Sequence, residues 1–140
     1  MRISRDKHFI ELATKIAERG TCSRAKVGAI AIKDNRIIAS AYNGSVSRGK
    51  HCEDVGCIIV NDHCVRSMHA EMNIVCACAK FGTSLKDTTI YCTLEPCYSC
   101  LMALVSAGVT KVIYKDSYPD KRINPELYKL IEVEQYGGII

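Results

Sequence analysis

Short β-rich runs alternate with helical runs along most of this chain, and this alternation restricts its fold more than any other feature. In order, the sequence predicts helix, strand, strand, helix, strand, helix and strand. Strands joined through a helix form right-handed crossovers, which place helices over the faces of a sheet. The pattern therefore predicts an α/β fold, with a single-domain three-layer mixed β-sheet flanked by helices. The length of 140 residues matches one domain of roughly 100–200 residues.

The limits of these elements follow from residues that cap helices or form turns. Ser4 caps the first helix, Gly20 follows its end, and Lys33-Asp34-Asn35 joins two strands as a hairpin. Pro125 is placed to open a last helix. The other predicted elements are strands at 27–32 and 36–41, a turn at Asn43-Gly44, a helix at 68–80 ending near Gly82, a strand at 88–93, a helix at 97–107 stopped by Gly108, and a strand at 111–114.

Residues 45–67 have no clean period and are predicted to form an irregular insert within the domain that spans 1–140. The insert holds three of the nine cysteines and two of the four histidines. The N-terminal residues lack the apolar core of a secretory signal, and no run approaches the roughly 18 apolar residues of a membrane helix. We therefore expect a cytoplasmic protein with no membrane partner, whose reduced thiols serve as core residues, metal ligands or nucleophiles.

The charged residues do not predict a nucleic-acid partner. The formal charge of +4 comes from 19 basic and 15 acidic residues, and the basic ones are scattered from Arg2 to Lys129. Nucleic-acid binding needs clustered Lys and Arg that displace counterions from phosphates. A few basic residues around one small phosphate remain compatible with this composition.

Two short motifs carry metal-ligand chemistry. His69-Ala70-Glu71 opens one predicted helix, and Pro96-Cys97-Tyr98-Ser99-Cys100 opens another. Cys97 and Cys100 are three residues apart in a first helical turn, so both sulfurs can bind one ion, with His69 as the third ligand. Three protein ligands leave the fourth tetrahedral position of a zinc ion to water, which is typical of a catalytic site. Glu71 is then the candidate that moves a proton from that water.

The same residues have simpler interpretations. A lone Cys-x-x-Cys motif also occurs in redox pairs and in half of a zinc ribbon, and a lone histidine on an Ala-rich helix usually packs. A non-catalytic zinc-binding module would use the same cysteines and histidine, but it would leave Glu71 without a role. The order and spacing of the two motifs favour the catalytic zinc.

The chain resembles the zinc-dependent cytidine and deoxycytidylate deaminase superfamily, and within it the deoxycytidylate (dCMP) deaminases most closely. His-x-Glu followed by Pro-Cys-x-x-Cys is the signature of zinc deaminases. The resemblance covers about residues 5–118. The segments that carry it are CSRAKVGA at 22–29, YNGS at 42–45, the insert from His51-Cys52 to His63-Cys64-Val65-Arg66, HAEMN at 69–73 and TLEPCYSC at 93–100.

The resemblance implies hydrolysis of dCMP to dUMP and ammonia, which supplies deoxyuridylate for thymidylate synthesis. In this family Glu71 would act as both base and acid, the backbone N–H of Ala70 would hold the pyrimidine O2, and Asn43 would hold a sugar hydroxyl. It further implies a homo-oligomer, often a hexamer, with dCTP and dTTP as effectors near Tyr42 and Gly44 and Mg²⁺ beside the regulatory triphosphate.

The substrate phosphate requires cations, for which Arg24, Lys26 and Lys80 are the candidates. Each of them also fits a solvated surface charge. Tyr118, after the last predicted strand, either closes over the nucleotide or packs. The sequence leaves open dCTP or another nucleoside or base as substrate, including adenosine in transfer RNA, although scattered charge and few aromatic residues disfavour the RNA.

A second, structural zinc would account for further cysteines and histidines in and near the insert. The preferred ligands are Cys22, Cys52, Cys57 and Cys64, with His63 as the alternative fourth ligand. Structural zinc sites are closed and four-coordinate, and zinc binding contributes to folding. The simpler interpretation is that these thiols are free or pack in the core. Three further cysteines are predicted to act as small apolar residues within regular elements: Cys76, Cys78 and Cys92.

Overall fold

The computed structural model describes residues 1–118, 120, 122 and 124–138. These residues contain five helices and seven strands. In chain order they are α1 (Arg5–Ala17), β1 (Gly28–Lys33), β2 (Arg36–Tyr42), α2 (Cys52–Val55), β3 (Ile59–Val60), β4 (His63–Cys64), α3 (Ala70–Phe81), β5 (Thr89–Leu94), α4 (Tyr98–Ser106), β6 (Lys111–Asp116), α5 (Leu127–Leu130) and β7 (Glu132–Gln135).

One mixed sheet organises the fold, with the strand order β2-β1-β5-β6-β7. β1 is antiparallel to both β2 and β5, whereas β5, β6 and β7 are parallel to one another. The β1–β2 hairpin turns through Asp34 and Asn35, which both have positive φ, as the short hairpin turns that match strand twist require. This sheet confirms the predicted α/β class.

Helices cover both faces of the sheet because residues along each strand alternate between the two faces. Ile30 and Ile32 of β1 pack with Phe9 of α1 on one face. Ala29 and Ala31 belong to the other core, which contains Ile74 of α3 and residues of α4. These small alanines let α3 lie close to the sheet. The predicted three-layer order is therefore confirmed.

Local signals set the helix ends. The Ser4 hydroxyl accepts a hydrogen bond from the Lys7 backbone N–H at 3.1 Å, which caps α1 as predicted. Gly82 follows α3 with a left-handed φ of 70°, and Gly108 has a φ of 97° just beyond α4. Both glycines end their helices where the sequence predicts, because L-residues with a side chain rarely adopt this backbone conformation.

Three parts of the chain differ from the prediction. The 45–67 insert contains one turn of helix, α2, and a two-stranded sheet of β3 and β4. Asn43-Gly44 is not a closed turn, because Gly44 pairs with Met68 in an isolated bridge. β7 was not predicted, because Val133 is its only apolar residue and the other three are exposed or polar. The short α5 begins two residues after Pro125.

None of the helices in the described residues is long and apolar enough to cross a membrane.

Gly28 provides a test of the contact between α1 and β1. A Cβ atom there would overlap the carbonyl oxygen of Ala13 and lie 2.6 Å from the backbone nitrogen of Ala17. We expect Gly28→Ala to lower the free energy of unfolding in urea by about 1–3 kcal/mol, the usual cost of overpacking. Gly137→Ala is the control, because nothing lies within 4 Å of its added Cβ, and it should change stability by less than about 0.5 kcal/mol. Equal stability of the two variants would contradict the packing argument.

Candidate active site

Three candidate metal ligands meet at one point. The Nδ1 atom of His69 lies 3.5 Å from the Cys97 sulfur and 3.4 Å from the Cys100 sulfur. Zn–S bonds of about 2.3 Å and Zn–N bonds of about 2.0 Å at tetrahedral angles place nitrogen and sulfur roughly 3.5 Å apart. The three side chains therefore fit a zinc ion and leave one coordination position for a further ligand. The structure brings together all three residues that the two motifs predicted.

Two helix N-termini position these ligands. His69 is the N-cap residue of α3 and Cys97 is the N-cap residue of α4, while Cys100 lies in the first turn of α4. Cys97 was predicted within that turn and instead precedes it. The partial positive charge of a helix N-terminus favours the thiolate that zinc requires. Cys97 also follows the carboxyl end of β5, which is where α/β sheets commonly bind ligands.

The three candidate ligands change one another's pKa values. A hydrogen bond from the Cys100 thiol holds the pKa of Cys97 well below the ordinary thiol value, and His69 lowers it further. The same hydrogen bond raises the pKa of Cys100. The pKa of His69 is raised, first by its hydrogen bond with Cys97. One thiol of this pair therefore ionises more readily than an isolated cysteine does.

Glu71 is a buried carboxyl beside the ligands. Its side chain belongs to the first turn of α3, and the residue is only 3% exposed. Burial raises the pKa of Glu71 above its ordinary value, because a desolvated carboxylate is disfavoured. A carboxyl with a raised pKa can take up and release protons nearer to neutral pH. Glu71 is therefore suited to carry protons for a reaction at this point.

A cavity of about 280 Å³ opens beside the ligands and Glu71. Ligand pockets usually measure about 300–1,000 Å³, so this one suits a small molecule. Among the residues that line it are Arg24, Asn43, Ala70 and Tyr118. Ala70 is the first residue of α3, and no acceptor for its backbone N–H is found among the described residues. That N–H is free to bind an oxygen of a ligand.

Only one of the three predicted phosphate-binding cations lies at this cavity. Arg24 lines it. The Lys26 ammonium is 3.5 Å from a carboxylate oxygen of Glu53, and its side chain is 51% exposed. Lys80 lies in the last turn of α3, eleven residues after His69 and therefore about 16 Å away along the helix axis. The structure places Lys26 and Lys80 outside the cavity lining.

Asn43 has a structural task as well as a place in the cavity wall. Its Oδ1 accepts a hydrogen bond from the Val27 backbone N–H at 2.7 Å, and its Nδ2 donates to the Ala25 carbonyl at 2.8 Å. The side chain thus holds the loop before β1 in place. Tyr42 and Gly44, the predicted effector residues, are not in the lining of this cavity. The Tyr42 ring lies 5.8 Å from the Arg19 guanidinium.

A second group of potential metal ligands lies at the insert. The sulfurs of Cys22, Cys52, Cys57 and Cys64 all lie within 4.8 Å of one another. The Cys22 and Cys57 sulfurs are 3.9 Å apart and the Cys52 and Cys64 sulfurs are 3.5 Å apart, close to the roughly 3.8 Å edge of a tetrahedral four-thiolate zinc site. The structure therefore brings together the four cysteines that were preferred from the sequence as ligands of a second zinc. His63 lies outside it and lines the cavity.

The three remaining cysteines divide into two kinds. Cys78 and Cys92 are buried in the core between the sheet and α3 and α4, as predicted. Cys76 is exposed on α3. Its predicted role in apolar packing is therefore wrong, because its position on α3 faces away from the sheet.

Several residues around the site were not predicted from the sequence. Glu95 Oε1 accepts a hydrogen bond from the Tyr118 backbone N–H at 3.1 Å, and Asp120 accepts one from the Tyr98 backbone N–H at 2.7 Å. Ser67 lines the cavity, and its buried hydroxyl has no hydrogen-bond partner among the described residues. Glu95 directly precedes the Pro-Cys motif. This position next to a ligand motif is a sequence signal from which Glu95 could have been predicted as a site residue. The other contacts depend on tertiary structure.

Comparisons with known proteins agree with this geometry. The family model described as "Cytidine and deoxycytidylate deaminase zinc-binding region" matches residues 3–116. The chain is 40% identical to ComE operon protein 2 of Bacillus subtilis (strain 168) over 96% of its own length and 72% of that protein. It is 32% identical to the deoxycytidylate deaminase of Saccharomyces cerevisiae over 94% of its own length, and it spans 43% of that longer protein.

One solved structure is similar to this protein over nearly the whole chain. The dCMP deaminase from the cyanophage S-TIM5, in complex with dCMP and dUMP, superimposes with a TM-score of 0.80 at 30% sequence identity. The match covers 97% of this chain and 99% of the phage chain. This structural match supports the fold, and the family match over 3–116 identifies the zinc-binding region. The chain belongs to the cytidine and deoxycytidylate deaminase family.

Proposed function

We propose that this protein hydrolyses dCMP to dUMP and ammonia, and thereby supplies deoxyuridylate for thymidylate synthesis. One observation carries the proposal: the ligand atoms of His69, Cys97 and Cys100 lie within 4.8 Å of one another, and the small cavity beside them is lined by His69, Cys97 and the buried Glu71. The likeness to the cyanophage dCMP deaminase over 97% of the chain supports this substrate.

The residues of the site divide the chemistry between them. When zinc is bound by His69, Cys97 and Cys100, it makes a water molecule nucleophilic near neutral pH. Glu71 accepts a proton from the attacking water, passes it to N3 of the pyrimidine, and assists departure of the amine at C4. The raised pKa of the buried Glu71 lets one carboxyl serve first as base and then as acid.

The cavity wall orients the nucleotide. The backbone N–H of Ala70 has no acceptor among the described residues and is assigned to the pyrimidine O2. Asn43 retains one Nδ2 hydrogen and one Oδ1 lone pair beyond its two loop contacts, and these can hold a sugar hydroxyl. Tyr118 also lines the cavity and is assigned to close over the nucleotide.

Arg24 is the cation that we assign to the substrate phosphate. It lines the cavity, whereas Lys26 is paired with Glu53. A guanidinium donates two parallel hydrogen bonds to phosphate oxygens, so one arginine can both neutralise and orient the group. Arg24 is the one Lys or Arg side chain among the described residues that line the cavity, and a single cation suits a monophosphate better than a triphosphate.

The four cysteines at the insert are proposed to hold a second, structural zinc. They come from the loop after α1, from α2, from the loop after α2 and from β4, so one ion would join segments that share little core. Zinc binding would then contribute directly to the folding of the insert.

We also propose a cytoplasmic homo-oligomer, a hexamer by family resemblance, that is regulated by dCTP and dTTP with Mg²⁺ near Tyr42 and Gly44. Exposed apolar residues of the insert support association, because contiguous apolar surface commonly marks an interface. Four of these exposed residues lie in or next to the β3–β4 sheet: Ile58 (44%), Ile59 (49%), Val60 (49%) and Val65 (57%).

Glu71→Gln tests the proton carrier. Glutamine keeps the shape of the side chain and cannot exchange a proton, so we expect deamination of dCMP to fall by at least about 100-fold. Zinc content and the unfolding midpoint should not change. Cys97→Ala is the comparison variant and should lose zinc and activity together. Near-normal ammonia release by Glu71→Gln would remove this residue from the mechanism.

Arg24→Leu tests the phosphate contact. Loss of a charged hydrogen bond should raise KM for dCMP by about tenfold or more, and leave KM for deoxycytidine nearly unchanged, because only the nucleotide carries the phosphate. Lys80→Ala removes a cation at the far end of α3 and should affect neither substrate. The assignment fails if Arg24→Leu weakens both substrates equally.

Metal analysis tests the second zinc. We expect two zinc ions per chain in protein purified without chelators, and one ion in the Cys52→Ser variant, because a closed site tolerates no missing thiolate. Cys76→Ser is the matched control, since Cys76 is exposed and outside both ligand groups, and it should keep two. One ion per chain in the unmutated protein would contradict the proposal.

A further inference from the structure

The start of α4 donates a hydrogen bond to a distant part of the chain. Cys97 occupies the N-cap position, and its sulfur lies 3.5 Å from His69 within the metal-ligand group. The backbone N–H of Tyr98, the first residue of α4, donates to Oδ2 of Asp120 at 2.7 Å. The first N–H groups of a helix lack partners within it, and a carboxylate there is attracted by the helix dipole. Asp120 therefore caps α4 from 22 residues away.

Arg122 fixes the Asp120 carboxylate in this position. Its guanidinium donates from Nη2 to Oδ2 at 2.8 Å and from Nε to Oδ1 at 3.0 Å, which is a two-point contact with a defined orientation. The Arg122 backbone N–H also donates to Oδ1 at 2.9 Å. The same guanidinium donates to the Ser99 hydroxyl at 3.3 Å and lies 5.5 Å from the centre of the Tyr98 ring. Asp120 and Arg122 thus hold the first two residues of α4.

The segment that carries Asp120 is attached on the other side of Cys97 as well. The Tyr118 backbone N–H donates to Oε1 of Glu95 at 3.1 Å, and the Glu95 backbone N–H donates to the Asp116 carbonyl at 2.8 Å. Glu95 lies two residues before Cys97 and Tyr98 lies one residue after it. The metal-ligating turn is therefore attached on both sides to the segment that brings Tyr118 to the cavity wall.

We propose that Asp120, held by Arg122, is a positioning residue that keeps the Cys97–Cys100 turn in the geometry of a metal site. The Asp120 side chain acts through the Tyr98 backbone N–H, to which it is hydrogen-bonded. Loss of residues that orient metal ligands commonly reduces metal affinity by about 10–100-fold. This inference rests on the zinc site of the proposed function and is independent of which nucleotide is the substrate.

Chelator competition on the purified full-length protein tests the inference. The experiment follows the zinc ion bound by His69, Cys97 and Cys100. This ion is identified as the one that is absent from the Cys97→Ala variant. Asp120→Ala should lose this zinc at a chelator concentration about tenfold lower than the unmutated protein does. Asp120→Asn still offers an oxygen to the Tyr98 N–H and should recover most of the difference. Arg122→Leu should shift zinc release in the same direction as Asp120→Ala, and it carries the test if Asp120→Ala does not fold.

A core variant separates positioning from general stability. Ile30→Val removes one methyl group on the sheet face that packs against α1, so it should lower the unfolding midpoint and leave zinc competition unchanged. Zinc retention by Asp120→Ala within twofold of the unmutated protein would overturn the inference, and so would an equal shift in Ile30→Val. Absence of zinc from His69, Cys97 and Cys100 in the unmutated protein would instead overturn the proposed function.

Discussion

The active-site end of this structure depends on two helices that must begin side by side. A tetrahedral zinc site requires nitrogen and sulfur atoms roughly 3.5 Å apart, and here they come from the N-cap of α3 and from the N-cap and first turn of α4. β5 makes this arrangement possible because it lies in the centre of the sheet and delivers Cys97 at its carboxyl end. The packing of α3 and α4 over the same core then brings the ligands together.

The same packing gives Glu71 its chemical character. α3 approaches the sheet closely because Ala29, Ala31 and Ala70 have small side chains, and all three are fully buried. This proximity places the Glu71 carboxyl, one residue beyond Ala70, away from water and raises its pKa. Burial of a carboxyl reduces stability, so it is explained by chemistry rather than by folding. The burial that suits Glu71 to its proposed role as proton carrier and the close packing of α3 are therefore consequences of one contact.

The two cysteine-containing sites share a wall. Cys22 and Cys64 belong to the four-cysteine group, and both also line the cavity beside Glu71. Arg24 follows Cys22 by two residues, and His63 directly precedes Cys64. The segments in which these cysteines lie therefore also form part of the cavity wall. The insert has exposed aliphatic residues and little core of its own. It nevertheless forms part of the cavity wall.

Much of this protein could be predicted from local sequence. Helix caps at Ser4, Gly82 and Gly108, the Asp34-Asn35 turn and the two ligand motifs all depend on neighbouring residues, so pattern and spacing determined them. Edge strand β7 escaped prediction because only Val133 contributes an apolar side chain. Lys26 and Lys80 were plausible cations that the sequence could not separate from Arg24, since their distance from the cavity depends on how α3 and the insert pack.

The sequence by itself determined which chemical groups are present and which turns begin and end each element. Only the tertiary structure decided which groups meet: four cysteines from separate segments lie within 4.8 Å of one another, and Asp120 caps a helix 22 residues away. Local propensities act over a few residues, whereas the burial of Glu71 and the cap at Tyr98 arise from contacts between distant segments. The physical reason is that packing of the helices on the sheet, and no local signal, sets those distances.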